Sequence, residues 1–211
     1  MTSFFPGGPT KSVVRFNTAG GNDSLQLQST NTVSLFGGGT DWTTFVVFAK
    51  NSPNTSGFGL IGSAGNPSIG IGLGSRNDTS LTITYSGVGD SATAVYHDGS
   101  TKIYDVVAWT HDNTAQVDKA YQNSNLVATE TGYPVTSPNV TNALVLGTFE
   151  GQPGYLNGDI AEIIVYNQKL NSSDFTLVND YLTAKWLPEP GSLGVLVIGA
   201  MVLVRRRVVR A

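Results

Sequence analysis

Short apolar runs at near-regular spacing constrain this chain more than any other feature of its sequence. Between residues 12 and 166, runs rich in Val, Ile, Thr, Phe and Tyr alternate with clusters of Gly, Asn, Asp, Pro and Ser. Such runs are typical of β-strands, and the clusters between them are typical of turns. Many short strands joined by tight turns predict a single all-β sandwich or barrel.

The pattern predicts strands at the following positions: Ser12–Phe16, Ser24–Gln28, Thr44–Ala49, Gly57–Gly62, Ile69–Leu73, Ser80–Tyr85, Ala92–His97, Lys102–His111, Ala115–Gln122, Asn125–Thr129, Ala143–Gly147 and Asp159–Tyr166. In Ser80–Tyr85, apolar and polar residues alternate, which predicts one buried face. Thr44–Ala49 is apolar on both faces and is therefore predicted to lie in the middle of a sheet.

One helix is predicted from Ser172 to Trp186, near the end of this domain. Asn171 or Ser172 can cap its N-terminus, because a short polar side chain there accepts a hydrogen bond from a free backbone N–H. Pro188 ends the helix. Its apolar residues recur every three or four positions and form one stripe, which consists of Phe175, Val178, Tyr181, Leu182 and Trp186.

Charge and cysteine content exclude several function classes. The chain carries a net charge of −3, and residues 188–211 hold one acid and four arginines, or +3, which leaves −6 for residues 1–187. An acidic domain is a poor partner for nucleic acid, because phosphate neutralisation needs Lys and Arg. The chain has no cysteine, so disulfides, cysteine-ligated zinc and a cysteine nucleophile are excluded.

The C-terminal tail has three parts in a fixed order: Pro188-Glu189-Pro190, an apolar stretch, and the arginines Arg205, Arg206 and Arg207. The apolar stretch is about fourteen residues long, or roughly 21 Å as a helix. It is therefore shorter than the ~20 residues that span a bilayer comfortably. Arginines directly after an apolar run favour a membrane-flanking role over DNA binding.

This tail resembles the PEP-CTERM sorting signals. The resemblance implies export, transient anchoring in the inner membrane, and processing by an exosortase-type enzyme of a Gram-negative bacterium. It further implies delivery to the cell surface or extracellular matrix. No signal peptide is visible after Met1, so we expect that the true start lies upstream or that the chain is a fragment. The predicted organisation is a disordered or truncated segment 1–11, a sandwich 12–187 and a sorting tail 188–211.

The body resembles the LamG-like, or concanavalin A-like, jelly rolls. The similarity is carried by the segment from Gly158 to Asn167, by Tyr181–Trp186, by Val14–Asn17 with Asp23, and by the middle hairpin around residues 105–127. It implies two curved antiparallel sheets, with a concave face that often binds sugar or protein in relatives. Where many relatives have Asn-Gly, this chain has Asn123-Ser124.

No catalytic residues are predicted. Glucanases on this fold need two carboxylates about 5–5.5 Å apart for a retaining mechanism. Asp159 and Glu162 are three positions apart in a predicted strand, which predicts opposite faces. His97 and His111 belong to no motif that supplies a nucleophile or a metal set, and we interpret both as structural.

Asp23 and Asp159 are the predicted metal ligands. The resemblance places both acids near the sandwich rim, where relatives often hold a structural Ca²⁺, an ion that takes six to eight oxygen ligands. The alternative interpretation is that both are turn residues whose side chains bond to their own backbone.

Aromatic residues are the candidate sugar platforms, because sugars stack on exposed rings. The candidates are Trp42, Tyr85, Tyr96, Tyr104 and Trp109, and each of them could instead pack in the core.

The resulting prediction is an exported structural or adhesive surface protein without enzymatic activity. The alternative is a carbohydrate-binding, lectin-like module with polysaccharide or surface proteins as partners, and a glycoside hydrolase is a remote third reading. An exposed aromatic patch on the concave face would favour the lectin. A face of Ser, Thr and small aliphatic residues would favour the structural module.

Overall fold

The computed structural model describes residues 2–3, 11–17, 23–27, 36, 39–51, 57–63, 71–75, 80–85, 88–95, 103–131, 144–148 and 154–187. These residues form strands and one long helix. The elements are β1 Thr2–Ser3, β2 Lys11–Ser12, β3 Val14–Phe16, β4 Leu25–Leu27, β5 Trp42–Lys50, β6 Phe58–Ser63, β7 Ile71–Ser75, β8 Ser80–Tyr85, β9 Val88–Val95, β10 Asp105–Asp112, β11 Val117–Gln122, β12 Asn125–Thr131, β13 Leu144–Leu146, β14 Gly158–Tyr166 and α1 Ser172–Trp186.

Strands β3 to β14 form two six-stranded antiparallel sheets, and two antiparallel sheets are what the jelly-roll resemblance implies. The first sheet has the order β12-β11-β10-β5-β14-β3, and the second has the order β4-β13-β6-β7-β8-β9. The two-residue strands β1 and β2 pair with each other, so Thr2 and Ser3 of the segment predicted to be disordered take part in a strand pairing. All predicted strands correspond to observed ones, with ends that differ by a few residues.

Strand β5 lies inside the first sheet and is buried on both of its faces. Phe45, Val46, Val47 and Phe48 are each 0% exposed. Val46 and Phe48 face the second sheet, whereas Phe45 and Val47 face helix α1. The prediction of a central strand is therefore confirmed, and the domain has three layers: the second sheet, the first sheet and the helix.

Two apolar clusters hold these layers together. The inter-sheet core consists of Phe16, Phe36, Trp42, Val46, Phe48, Phe58, Leu60, Ile61, Leu73, Val107, Trp109, Ala120, Leu144, Leu146, Leu156 and Ile160. The helix-side core consists of Val13, Phe45, Val47, Ala49, Tyr104, Val106, Ala108, Leu170, Leu182 and Trp186. Burial of this apolar surface is the main favourable term for folding in a chain without disulfides.

Helix α1 begins and ends at the predicted residues. The Asn171 side-chain oxygen accepts a hydrogen bond from the Asp174 N–H at 2.9 Å, which caps the first turn. Leu182 and Trp186 are buried against the first sheet. Tyr181, predicted in the apolar stripe, is 50% exposed, because it lies at the margin of the buried face, where its hydroxyl contacts charged groups. No helix among the described residues is long and apolar enough to cross a membrane.

Side-chain hydrogen bonds connect the hairpin between β11 and β12 to strand β10 and to helix α1. Asn123 and Ser124 both have positive φ, 46° and 72°, as the tightest hairpin turns require. The Asn123 side chain accepts a hydrogen bond from the Val106 N–H at 2.9 Å and donates one to Asp105 at 2.8 Å. The Ser124 hydroxyl accepts a hydrogen bond from Asn179 of α1, which connects the turn to the helix.

We expect Asn123→Ala to lower the free energy of unfolding by about 2–3 kcal/mol, because it removes two hydrogen bonds, one of them to a carboxylate, and puts alanine at a positive φ. Urea unfolding followed by circular dichroism measures the change. Asn125→Ala is the matched control, since Asn125 is exposed and makes one 3.4 Å contact; its effect should stay within about 0.5 kcal/mol. Equal effects of the two substitutions would contradict this role of Asn123.

Candidate functional site

The outer face of the second sheet is defined by the residues that point away from the inter-sheet core. Leu144 and Leu146 of β13 and Leu73 of β7 belong to that core. Because side chains alternate along a strand, Val145 and the glycines on either side of Leu73 face outward.

The strand register extends this face across the whole sheet. Val145 is paired with Gln26 on one side and with Gly62 on the other, and Gly62 is paired with Gly72. Residues paired directly across strands lie on the same face, so one cross-strand row runs from the edge strand β4 to the centre of the sheet. In the backbone register this row continues from Gly72 to Thr84 and from Thr84 to Asp90.

Four glycines form the centre of this face, and we call them the glycine floor: Gly59, Gly62, Gly72 and Gly74. They occupy β6 and β7, the two central strands of the sheet. A register shift between Gly59 and Ile61 sends both Leu60 and Ile61 into the core. As a result, Gly59 and Gly62 face outward although they are three positions apart.

On the glycine floor, backbone stands in place of side chains. Its four residues are buried, and the neighbouring outward residue Val145 is only 7% exposed. Glycine inside a strand weakens the strand, and it often marks a place where a ligand or another backbone approaches closely. Four glycines on one face of two adjacent central strands therefore make this face the candidate site.

The predicted sugar platforms lie elsewhere. Trp42 is 1%, Trp109 is 0% and Tyr104 is 6% exposed. The two tryptophans fill the inter-sheet core, and Tyr104 packs under Trp186 at a ring distance of 5.8 Å. The platform prediction is wrong for these three rings, because each of them points into one of the two cores. Tyr85 ends β8, and Tyr96 lies outside the described residues.

His111 has a structural environment. Its Nδ1 lies 2.7 Å from Asp118 Oδ1, its ring stacks on Trp42 at 5.7 Å, and it is 1% exposed. His97 lies outside the described residues. These contacts fit the interpretation of His111 as a core residue that pairs two neighbouring strands, since His111 and Asp118 are directly opposite each other in the register.

Asp159 forms an ion pair with Arg15 of the same chain. Arg15 Nε and Nη2 donate to its two carboxylate oxygens at 2.6 and 2.7 Å, and this pairing raises the pKa of Arg15. A calcium ligand needs oxygen neighbours, and a guanidinium on both oxygens is the opposite environment. In this structure Asp159 forms an ion pair, and its role as a calcium ligand stays a prediction.

Asp23 accepts a hydrogen bond from the Asn17 N–H at 3.0 Å, which fits the alternative reading of this acid as a turn residue. No group of three or more metal-binding side chains occurs among the residues that the structure describes. A structural calcium ion stays a prediction.

Glu162 lies on the face of β14 that contacts helix α1, a position that the sequence does not indicate. A register shift between Ile160 and Glu162 places Asp159 opposite Ala49 and Glu162 opposite Val47. Ala49 and Val47 both belong to the helix-side core, so the prediction that the two acids lie on opposite faces is wrong. The bulge adds one residue and thereby reverses the alternation.

The Glu162 carboxylate accepts hydrogen bonds from three residues of α1. Trp186 Nε1 donates at 2.5 Å, Lys185 Nζ at 3.1 Å and the Tyr181 hydroxyl at 3.4 Å. The Tyr181 hydroxyl and Glu162 together raise the pKa of Lys185. Asp159 is thus bound by Arg15 of the neighbouring strand β3, whereas Glu162 connects the first sheet to the helix layer.

Known structures share this fold. The module called CBM40 of the Ruminococcus gnavus IT-sialidase, bound to α2,3 sialyllactose, aligns with a TM-score of 0.63 and 16% identity over 80% of this chain and 96% of that chain. The same module bound to α2,6 sialyllactose aligns with a TM-score of 0.63 and 18% identity, covering 97% of its length. The NanB sialidase from Streptococcus pneumoniae aligns at 0.58 and 19% identity over 78% of this chain.

The extent of these matches differs. The chain spans 27% of the NanB sialidase, whereas it spans nearly the whole CBM40 module. At these identities the similarity shows the fold, a two-sheet jelly-roll sandwich of the kind found in carbohydrate-binding modules. No protein-family model and no curated protein sequence matches the chain.

Proposed function

We propose that this domain is a non-catalytic carbohydrate-binding module that binds glycans on the outer face of its second sheet. The observation that carries the proposal is the glycine floor, four buried glycines in the two central strands of that sheet. The structural likeness to CBM40 modules, which this chain matches over nearly their full length, supports it. This reading replaces the adhesive interpretation as the first choice.

The face offers a sugar two kinds of contact. The CH groups of a pyranose ring can pack on the flat glycine backbone, where no side chain holds the ring away. At the β4 edge of the same row, the exposed Gln26 offers an amide that can both donate and accept hydrogen bonds. Small-ligand sites are mainly apolar, with a few polar groups that fix the orientation of the ligand.

The test uses the full chain and a panel of immobilised glycans and polysaccharides, followed by calorimetry on the strongest ligand. We expect Gly72→Thr to weaken binding at least tenfold, because the new side chain would stand on the floor. Circular dichroism and the unfolding midpoint show whether this variant is folded, because Gly72 is buried. Ala115→Thr, a similar change on the exposed turn after β10, should bind like the parent. Undiminished binding by a folded Gly72→Thr variant would refute the assigned face.

A structural or adhesive surface domain is the second candidate. The glycine floor carries no large aromatic side chain, and Tyr181, the exposed aromatic residue among the described part of the chain, lies on the helix in another layer. A structural module needs no aromatic side chain on such a face. Failure of the full chain to bind any glycan would make this second candidate the better account.

We also propose that the tail 188–211 directs export and exosortase processing, on the strength of its resemblance to PEP-CTERM signals. Residues 188–211 lie outside the described residues. The mature chain should be shorter when it is produced together with an exosortase than when it is produced without one, and intact-protein mass spectrometry measures the difference. Equal masses would remove support for processing, for transient membrane anchoring and for surface delivery by this route.

A further inference from the structure

We propose that the end of the domain from which the C-terminal tail leaves is a membrane-docking face, which contacts lipid headgroups while the tail is anchored. We call this end the tail end, and its residues are Lys11, Arg15, Ile103, Lys185 and Trp186. This inference rests on the proposed anchoring of the tail, and it adds a second contact with the membrane that the domain itself makes.

Helix α1 runs from one end of the domain to the other. Just before the helix begins, Lys169 forms an ion pair at 2.6 Å with Asp112, the last residue of β10. At the end of the helix, the ring of Trp186 lies 5.8 Å from the ring of Tyr104, which directly precedes β10. The helix is therefore antiparallel to β10, and the tail leaves the domain at the end where β10 begins.

Three contacts fix the last turn of α1. The Lys11 ammonium donates a hydrogen bond to the carbonyl of Lys185, and it also lies 4.8 Å from the ring centroid of Trp186. The Leu187 N–H donates to the carbonyl of Thr183 at 2.8 Å. The tail thus begins at a defined place on the domain.

The connection between this place and the apolar stretch of the tail is short. It consists of residues 188–191. A fully extended chain covers at most about 3.6 Å per residue, so the five steps from residue 187 to residue 192 cover at most about 18 Å. Strand β10 alone has eight residues, or about 26 Å at a rise of about 3.3 Å per residue. When the apolar stretch lies in a membrane, the tail end is therefore the end of the domain that is near the lipid.

Ile103 is an exposed apolar residue at the tail end. It directly precedes Tyr104 in the sequence and is 57% exposed. An apolar side chain at this place can enter the headgroup layer and leave water, which is favourable roughly in proportion to the apolar area removed. The exposure of Ile103 in the free domain is thus explained by a lipid surface that covers it in the anchored state.

Two partly exposed cations belong to the same end. Arg15 is opposite Asp159 in the register, and Asp159 is opposite Ala49, near the end of β5 that lies at the start of β10. The side chains of Arg15 and Lys185 are 37% and 36% exposed, and each has an acidic partner. A guanidinium carries five N–H donors and an ammonium three, so long cationic side chains can keep such a partner and still reach lipid phosphates.

A second contact suits an anchor as short as this tail. The apolar stretch of about fourteen residues is shorter than the ~20 that span a bilayer comfortably. Among lipid-modified proteins, a single weak anchor gives marginal membrane binding, and a second signal makes the binding stable. Contact between the tail end and the headgroups supplies such a second signal.

The experiment uses a fluorophore on a single introduced cysteine, because the chain has none of its own. Ser12→Cys places the label at the tail end, on an exposed residue next to Lys11, and Ala115→Cys places it on the exposed turn at the far end of β10. The labelled full chains are bound to vesicles of phosphatidylethanolamine and phosphatidylglycerol, about 3:1, whose headgroups carry a quencher. We expect about threefold stronger quenching at position 12 than at position 115, because the length of β10 separates the two ends.

Two further changes separate docking from tethering alone. Insertion of about twelve Gly and Ser residues after Leu187 lengthens the tether, and the label at position 12 should keep at least half of its quenching, because the face itself contacts lipid. In this lengthened chain, Ile103→Asp should remove most of the remaining quenching. Leu177→Asp is the matched control, since Leu177 is 65% exposed near the middle of α1, and it should leave the quenching unchanged.

Equal quenching at positions 12 and 115 in vesicle-bound chains would overturn the inference and leave the tail anchor intact. Loss of the difference on lengthening the tether, or equal effects of Ile103→Asp and Leu177→Asp, would also overturn it, because the tether alone would then hold the domain near the membrane. Failure of the full chain to bind the vesicles would overturn the proposed anchoring of the tail and the inference with it.

Discussion

Trp109→Ala should lower the free energy of unfolding by about 3–5 kcal/mol, the usual loss when a buried tryptophan is removed. Trp109 is 0% exposed and sits in the inter-sheet core, directly opposite Thr44 of β5 and Ala120 of β11. Removing the indole leaves a cavity between the sheets that the surrounding strands can fill only in part. Equilibrium unfolding in guanidinium chloride, followed by circular dichroism, measures the loss.

Trp109→Phe separates the effect of losing ring volume from the effect of the unsatisfied indole N–H. Trp109 Nε1 and Thr44 Oγ1 are buried without a hydrogen-bond partner within the described part of the chain. Phenylalanine keeps much of the ring volume and removes the unsatisfied donor, so its cost should be only about 1 kcal/mol. If Trp109→Ala left stability unchanged but abolished glycan binding, Trp109 would be a sugar platform after all, and its assignment to the core would be wrong.

Glu162→Ala should lower the free energy of unfolding by about 3 kcal/mol, because Trp186 would keep a buried indole N–H without its acceptor. Trp186 is 4% exposed and lies 2.5 Å from the Glu162 carboxylate. The Lys185 pair adds little to this figure, since its ammonium side chain is 36% exposed. Urea unfolding measures the loss, and we expect a lower midpoint with an unchanged slope.

Two control variants define what Glu162 contributes. Glu162→Gln keeps an acceptor for Trp186 and should lose less than half as much stability as Glu162→Ala. Asp180→Ala removes an exposed acid from the same helix and should change stability by no more than about 0.5 kcal/mol. Equal losses for Glu162→Ala and Asp180→Ala would show that the carboxylate does not anchor the helix.

The strands and the helix could be predicted because local sequence and tertiary burial agree in them. Strand β5 is apolar on both faces and is buried on both. Helix α1 has a capping asparagine, an apolar stripe and following prolines, and each of these marks a boundary or a face by its own chemistry. The local preference of these two segments matches their environment in the fold, so the periodicity of apolar residues is sufficient to predict them.

Two of the register shifts decide which side chains face the candidate site and the helix, and neither could be predicted. Alternation assigns faces correctly only while the register is unbroken. The shift at Gly59/Ile61 aligns Gly59 with Gly62 on the outer face, and the shift at Ile160/Glu162 brings Glu162 to the helix. An extra residue in one strand is set by pairing with its neighbours, which lie far away in the sequence.

The aromatic residues show a second limit of sequence reasoning. Trp42 and Trp109 are in the core, whereas Tyr181 is half exposed although it lies in the apolar stripe of a helix. Whether an aromatic ring packs in a core, stacks on a ligand or makes a hydrogen bond depends on the surface that covers it. The sequence does not indicate that the four glycines share a face, because that face is set by the pairing of β6 with β7.

The most direct test of the glycine-floor site is a titration of the ¹⁵N-labelled full chain with the strongest-binding glycan of the panel, followed by ¹H–¹⁵N correlation spectra. Glycine amides resonate in a region of their own, so Gly59, Gly62, Gly72 and Gly74 report on the floor individually. We predict that their signals shift in proportion to ligand occupancy, while those of α1 stay in place. Shifts confined to α1 or to the first sheet, with the four glycine signals unmoved at saturation, would contradict the assignment of the binding site to the second sheet.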